Sequence, residues 1–180
     1  LFGIGRSSAK ETIFVVKNNP GASPPYTNWV MAAADIQTAI DYALAGDTVL
    51  VSNGVYDTGG LAIDGQLTNR VVIDKPITMR SVNGPAVTII QGAKDPLVTN
   101  GSAAVRCIWM TNGASLEGFT LANGATFNID YYGDAGFGGG IYCPSTNASI
   151  SNCTLTGDSA YNGGGAYGGT LRNCTISGNS

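Results

Sequence analysis

Along the second half of the chain, apolar and polar residues alternate in short runs, and the runs repeat. Residues 115–124 read SLEGFTLANG, 149–158 read SISNCTLTGD and 170–179 read TLRNCTISGN, with a weaker relative, VTIIQG, at 87–92. In each copy Leu116, Ile150 and Leu171 fall to one side, and Glu117, Ser151 and Arg172 to the other. The same holds for Phe119/Leu121, Cys153/Leu155 and Cys174/Ile176, with Thr120, Thr154 and Thr175 between them. A period of two means strand. The runs are about three residues long, well under a typical strand, so each copy reads as strand, bend, strand. The bend falls on Gly118, Asn152 and Asn173, the residue types that enter the left-handed backbone region most readily.

Thr154 and Thr175 stand 21 residues apart, Thr120 and Thr154 stand 34, and Thr88 and Thr120 stand 32. The first interval suits one coil of a β-solenoid, and the longer ones suit a coil carrying an inserted loop. No Leu-x-x-Leu-x-Leu skeleton and no 3.6-residue apolar period occurs in the repeats. Coils stack about 4.8 Å apart, which places Asn152 over Asn173 and predicts an amide ladder between them. Val72, Ile77, Met79, Val87 and Ile89 are expected to supply earlier coils of the same wall.

The first part of the chain reads differently. Residues 1–12 form a tail, 13–16 an apolar strand, and 17–30 a loop carrying Pro20, Pro24 and Pro25. Over 33–45, Ile36, Ala39, Ile40, Ala43 and Leu44 share one helical face, with Gly46 placed to stop the helix. The run 47–51 (DTVLV) is the first coil strand. The expected division is 1–46 for tail, strand and capping helix, and 47–180 for the coils, with an inserted loop at 126–137 that projects from the solenoid. A solenoid's end exposes core and unpaired backbone, which an amphipathic helix can cover. The far end stops inside a repeat at Asn179-Ser180 with no cap in view, a template for end-to-end association into filaments.

The stacked bend with Asn resembles the right-handed parallel β-helix of the pectin-lyase-like superfamily. So does the order of helix, Gly-Asp-Thr-Val-Leu-Val and Asn-Gly-Val-Tyr. The Gly-Gly-Gly-Ile-Tyr and Gly-Gly-Gly-Ala-Tyr stretches, 138–142 and 163–167, are similar to repeats of bacterial surface proteins of the polymorphic outer-membrane type, whose companion Phe-x-x-Asn motif is missing here. The resemblance covers roughly residues 30–180 and implies an all-β fold.

Composition narrows the rest. Charged residues make up 12% of the chain, Gly numbers 26, there is no His and the formal net charge is −3. Tight bends need Gly, Asn, Ser and Thr. Nucleic-acid binding needs a concentrated positive surface, which this chain lacks, and no stretch approaches a membrane span. The four cysteines, Cys107, Cys143, Cys153 and Cys174, include no Cys-x-x-Cys, so zinc is disfavoured. Cys153 and Cys174 occupy matching inward positions and read as a column of buried thiols, with a disulfide as the alternative.

The pectin-lyase-like group includes polysaccharide lyases and hydrolases, so the resemblance implies an enzyme as one alternative. Such chemistry needs converging carboxylates or bound Ca²⁺. The candidates are Asp130 and Asp134 in the insertion, Glu117 and Asp158 on or near the outer wall, and Arg106 and Arg172 to meet a substrate carboxylate. Glu117 and Arg172 share an outward position two coils apart, about 10 Å, with Ser151 between. Asp130 with Asp134 offers two carboxylates to Ca²⁺, although a polar loop is the plainer reading. Tyr131 and Tyr132 could stack on sugar rings or fold back over the coil edge, and Tyr142 and Tyr167 read as packing. Sparse acids and walls rich in Ser and Thr favour a structural or adhesive module, with polysaccharide or a second copy as partner. Low charge, abundant Ser, Thr and Asn and the β-helix resemblance together imply a protein exported by a bacterium and acting outside the cell or on its surface.

Overall fold

The computed structural model describes residues 9–63, 67–128 and 134–180. After β1 (Thr12–Val15) and α1 (Ile36–Tyr42) the chain winds as a parallel β-solenoid. The first coil comprises β2 (Thr48–Val51), β3 (Gly54–Tyr56), the short β4 (Leu61–Ala62) and β5 (Thr68–Ile73). The second holds β6 (Thr78–Ser81), β7 (Thr88–Gln91) and β8 (Val105–Met110), and the third β9 (Ser115–Glu117), β10 (Thr120–Ala122) and β11 (Ile141–Tyr142). The fourth holds β12 (Ser149–Ser151), β13 (Thr154–Thr156) and β14 (Ala166–Tyr167), after which β15 (Thr170–Arg172) and β16 (Thr175–Ser177) begin a fifth. Corresponding strands stack into three sheets, ordered β1-β2-β6-β9-β12-β15, β3-β7-β10-β13-β16 and β4-β5-β8-β11-β14. Their pairings are parallel except β4 with β5.

In-register stacking turns the alternation into columns. Val49, Met79, Leu116, Ile150 and Leu171 form the inward column of the first sheet. Tyr56, Ile90, Leu121, Leu155 and Ile176 form that of the second. Val71, Ile108, Ile141 and Ala166 form that of the third. The three columns meet in one core, where each fully buried Leu or Ile contributes about 1.5–3 kcal/mol. The first corner is turned at Gly118, Asn152 and Asn173, with φ of 79°, 53° and 51°, and the second at Asn123, Gly157 and Gly178, with φ of 55°, 69° and 64°. Gly118 is doubly constrained, because a Cβ there would lie 2.5 Å from Ser81 Oγ.

Three expectations are corrected. The weak repeat is out of step by one residue: Ile89, not Thr88, pairs with Thr120. That slip exchanges the two faces, so Thr88 and Ile90 are buried while Val87 is exposed. Second, of the residues assigned to earlier coils of one wall, Met79 lies in the first sheet, Ile89 in the second and Val72 in the third. Third, Asn152 and Asn173 are exposed and donate no side-chain bond to each other; backbone bonds join the coils there, with Asn152 N–H donating to Arg172 O at 3.1 Å. The positive φ, not an amide ladder, is what that position requires. An amide pair does form elsewhere, between Asn83 Nδ2 and Asn53 Oδ1 at 2.8 Å.

Thr88 occupies the inward position that Phe119 holds one coil later, and its buried Oγ1 has no hydrogen-bond partner. An unsatisfied buried hydroxyl costs about 1 kcal/mol or more. Thr88→Val is therefore expected to stabilise the chain by about 1 kcal/mol, read as a higher urea midpoint at unchanged slope.

The helix is shorter than the expected 33–45. Ala33 is committed to β1, exchanging backbone bonds with Phe14 (2.8 Å) and Val16 (3.0 Å). Asp35 then caps the helix by accepting from Thr38 N–H at 2.8 Å. Ala43 turns extended and ends it, and Gly46, at φ 92°, lies in the following turn into β2. Ile36, Ala39 and Ile40 join the common core. The Gln37 side-chain amide accepts from Val72 N–H at 2.9 Å and donates to Val72 C=O at 3.2 Å, so it takes both backbone groups that a neighbouring strand would take. Lys75 Nζ donates to the helix-end carbonyls of Ile40 (3.0 Å) and Ala43 (3.2 Å).

Candidate functional site

The outward column of the first sheet runs Leu50, Arg80, Glu117, Ser151, Arg172. Glu117 thus has Arg80 on one side and Ser151 then Arg172 on the other. Arg80 was not among the residues picked from sequence, although the in-register Met79–Leu116 pair would have placed it there. Among the described residues no ion pair within 4.0 Å joins Glu117 to either arginine. The column offers one carboxylate between two guanidinium groups, where glycosidase chemistry asks for two carboxylates.

Asp158 and Arg106 are not on the outer wall. Asp158 is 1% exposed. It follows the left-handed Gly157, as Cys153 follows Asn152, and a left-handed residue resets the alternation so that the next side chain turns inward. Its Oδ1 accepts from Gly124 N–H at 2.7 Å and lies 3.7 Å from Cys107 Sγ, while Oδ2 has no partner. Burial pushes this carboxyl up to about 7, against the opposing pull of the Gly124 N–H, the Cys107 thiol and the Lys94 charge. Burial, reinforced by Asp158, pushes the Cys107 thiol well up. Gly140 lets the carboxyl sit there, since a Cβ would come within 2.5 Å of Oδ2.

Arg106 is 2% exposed, beneath the C-terminal end of the insertion. Its Nε donates to Gly138 O (3.0 Å) and Phe137 O (3.1 Å), its Nη1 to Asn69 Oδ1 (2.7 Å), and its Nη2 to Phe137 O (2.8 Å) and Asp134 O. The guanidinium also lies over the Tyr142 ring, 5.1 Å from its centroid. Burial pulls Arg106 down to about 10, still charged at neutral pH. It serves as a clamp: the insertion is closed at its neck by Phe127 N–H to Ala135 O (2.9 Å) and pinned to β8 by this one side chain. Asp134 is exposed at that neck; Asp130, Tyr131 and Tyr132 lie outside the described residues. Among the described residues no three His, Cys, Asp or Glu gather as metal ligands.

Tyr142 and Tyr167 stack with ring centroids 5.8 Å apart, and Phe137 stacks on Tyr167 at 4.6 Å. The Gly runs before each tyrosine set this spacing by carrying no side chain into the neighbouring coil. All four cysteines are free thiols; Cys153 is buried and Cys174, one coil on, is half-buried.

Two of the surface clefts lined by described residues bear on function. One, of about 260 Å³, lies between α1 and the first coil and is lined by Lys17, Asp35, Gln37, Tyr56 and Arg70. Its polar groups are already engaged with the protein: Lys17 with Asp57 at 2.6 Å, Asp35 with Thr38, and Arg70 Nε with Gln91 O at 2.8 Å. The other, of about 320 Å³, is a shallow groove lined by Trp29, Ser52, Asn53, Val82 and Asn83. It was not foreseen from sequence, because its residues come from three separate segments. Compared with models of known protein families, with curated proteins and with solved structures, the chain matches none. No helix among the described residues is long and apolar enough to cross a membrane.

Proposed function

We propose that this chain is a structural and adhesive module of the right-handed, pectin-lyase-like β-helix type, exported by a bacterium and acting outside the cell or on its surface. One observation carries the reading. Thr12, Thr48, Thr78, Ser115, Ser149 and Thr170 stack in register as an outward column of hydroxyls. Repeated at about 4.8 Å on a backbone held by coil-to-coil hydrogen bonds, such a column forms a rigid, periodic surface suited to a repeating polymer. The low charge supports the reading, and the near-universal handedness of parallel crossovers supports the right-handed form. The Gln37 amide on Val72 supports a capping role for α1.

Self-association belongs to the same proposal. The last coil of this chain presents Ile176, 56% exposed, beside the half-buried Leu171 and Cys174. The outer edge of β1 is already bonded to residues 26–33. For a polypeptide of these 180 residues, whose last coil leaves an unpaired edge, two copies are expected to meet through those coils, giving a discrete dimer before any filament. The enzyme alternative centres on Glu117 in its column of arginines. Sedimentation velocity across a concentration series, paired with assays for product release from acidic and neutral polysaccharides, tests the reading. The expected result is a dimer weakened by Ile176→Asp and no product. Product release that is lost in Glu117→Gln would sink the reading and establish an enzyme.

A further inference from the structure

The groove at Trp29 sets an exposed aromatic ring beside a pair of side-chain amides. The Trp29 ring meets Phe14 edge-on, with centroids 4.6 Å apart and planes 76° apart, and is 43% exposed. Asn53 and Asn83, stacked at the corner of the first two coils, spend one donor and one acceptor on each other at 2.8 Å. That leaves Asn53 Nδ2 and Asn83 Oδ1 free, a donor beside an acceptor. If both amides are flipped the same complement remains, with the two roles exchanged. Val82 and Ser52 complete the lining, and no charged side chain contributes to it.

We propose that this groove binds a neutral hexose or pentose unit of a polysaccharide. A pyranose has an apolar C–H face, which packs on an aromatic ring, and adjacent hydroxyls that each donate and accept. The paired amides supply one partner of each kind on adjacent coils, which are about 4.8 Å apart. An uncharged lining on a chain of net charge −3 gives no compensation for an acidic sugar, so uronate and sulfated polymers are excluded by repulsion and desolvation. At about 320 Å³ the groove is at the small end of ligand sites, which suits one or two sugar rings of a longer chain lying across the corner. The inference rests on the adhesive reading above and gives it a ligand class.

The chain has two tryptophans, Trp29 and Trp109, so a Trp109→Phe background leaves Trp29 as the sole indole. Fluorescence of that variant is titrated with cello-, manno- and xylo-oligosaccharides, with oligogalacturonate as the acidic control and a proline-rich peptide as the alternative occupant. The expected result is a saturable change in emission with at least one neutral oligosaccharide and none with oligogalacturonate or the peptide. In affinity electrophoresis through the responding polysaccharide, Trp29→Ala and, separately, the exposed Asn53→Ala lose at least tenfold in affinity while their circular dichroism is unchanged. No response to any neutral sugar, a response to the acidic sugar or the peptide alone, or unchanged retention of both variants would overturn the assignment. None of these outcomes bears on dimerisation or product release, so the parent reading fails or stands separately.

Discussion

Replacing Arg106 with Met is expected to lower stability by about 3–5 kcal/mol, one of the two largest effects foreseen for this chain. The side chain is buried and donates to the Asp134, Phe137 and Gly138 carbonyls and to Asn69 Oδ1. Met fills much of the volume but satisfies none of those acceptors. Each orphaned buried polar group costs about 1–3 kcal/mol, reduced where water enters. Arg106→Lys keeps the charge but not the planar fork, and should recover less than half of the loss. Urea unfolding gives the total. Limited proteolysis localises it, with cleavage within 126–137 rising in Arg106→Met before the coils unfold. A loss under 1 kcal/mol, or unaltered proteolysis of the insertion, would refute the clamp.

The second large effect is a dependence on pH from Asp158. Its folded-state carboxyl is raised to about 7 by burial, against about 3.9 in an unfolded chain. Between those values the folded protein holds a proton that the unfolded chain has released. Stability from this group is therefore complete below about pH 4, falls as pH rises to about 7, and then stays level. The span corresponds to roughly 4 kcal/mol at most, at about 1.4 kcal/mol per pH unit. Asp95 works in the opposite sense, since backbone N–H groups of Ala103, Leu97 and Val98 hold its carboxyl low and its contribution disappears only as pH falls below the ordinary carboxylate range. Comparing the parent chain with Asp158→Asn isolates the first group. The variant should gain stability relative to the parent by a few kcal/mol on going from pH 4.5 to pH 8. An equal pH profile for the two proteins would show that Asp158 ionises freely in the fold.

Much of the architecture was legible because it is written locally and repeated. Leu116, Ile150 and Leu171 recur with the same neighbours, and the bend at Gly118, Asn152 and Asn173 recurs with them, so a period of two plus a left-handed residue defines both strand and corner. The weak copy at 87–92 misled because it lacks that bend residue; Pro85-Ala86 stands in the approach instead, and nothing local fixes which face Thr88 takes. From sequence Asp158 reads as a residue on or near the wall and Arg106 as a partner for a substrate carboxylate, because charged residues ordinarily face solvent. The first is turned inward by the left-handed Gly157, and the second is covered by an insertion whose return path no periodicity describes. The Trp29 groove escaped notice for a related reason: Trp29, Asn53 and Asn83 meet only because residues 26–33 lie along β1.

Periodicity, bend chemistry and composition were enough to establish the stacked parallel coils, the dry apolar interior and the helix before the first coil, since each follows from residues close together in the chain. Register at the irregular second coil, the burial of Arg106 and Asp158, the pairing of Asn53 with Asn83 and the groove beside Trp29 came from packing. Those features depend on which segments are brought together across the coils, and their free energy lies in backbone groups and corners that carry no sequence signal of their own.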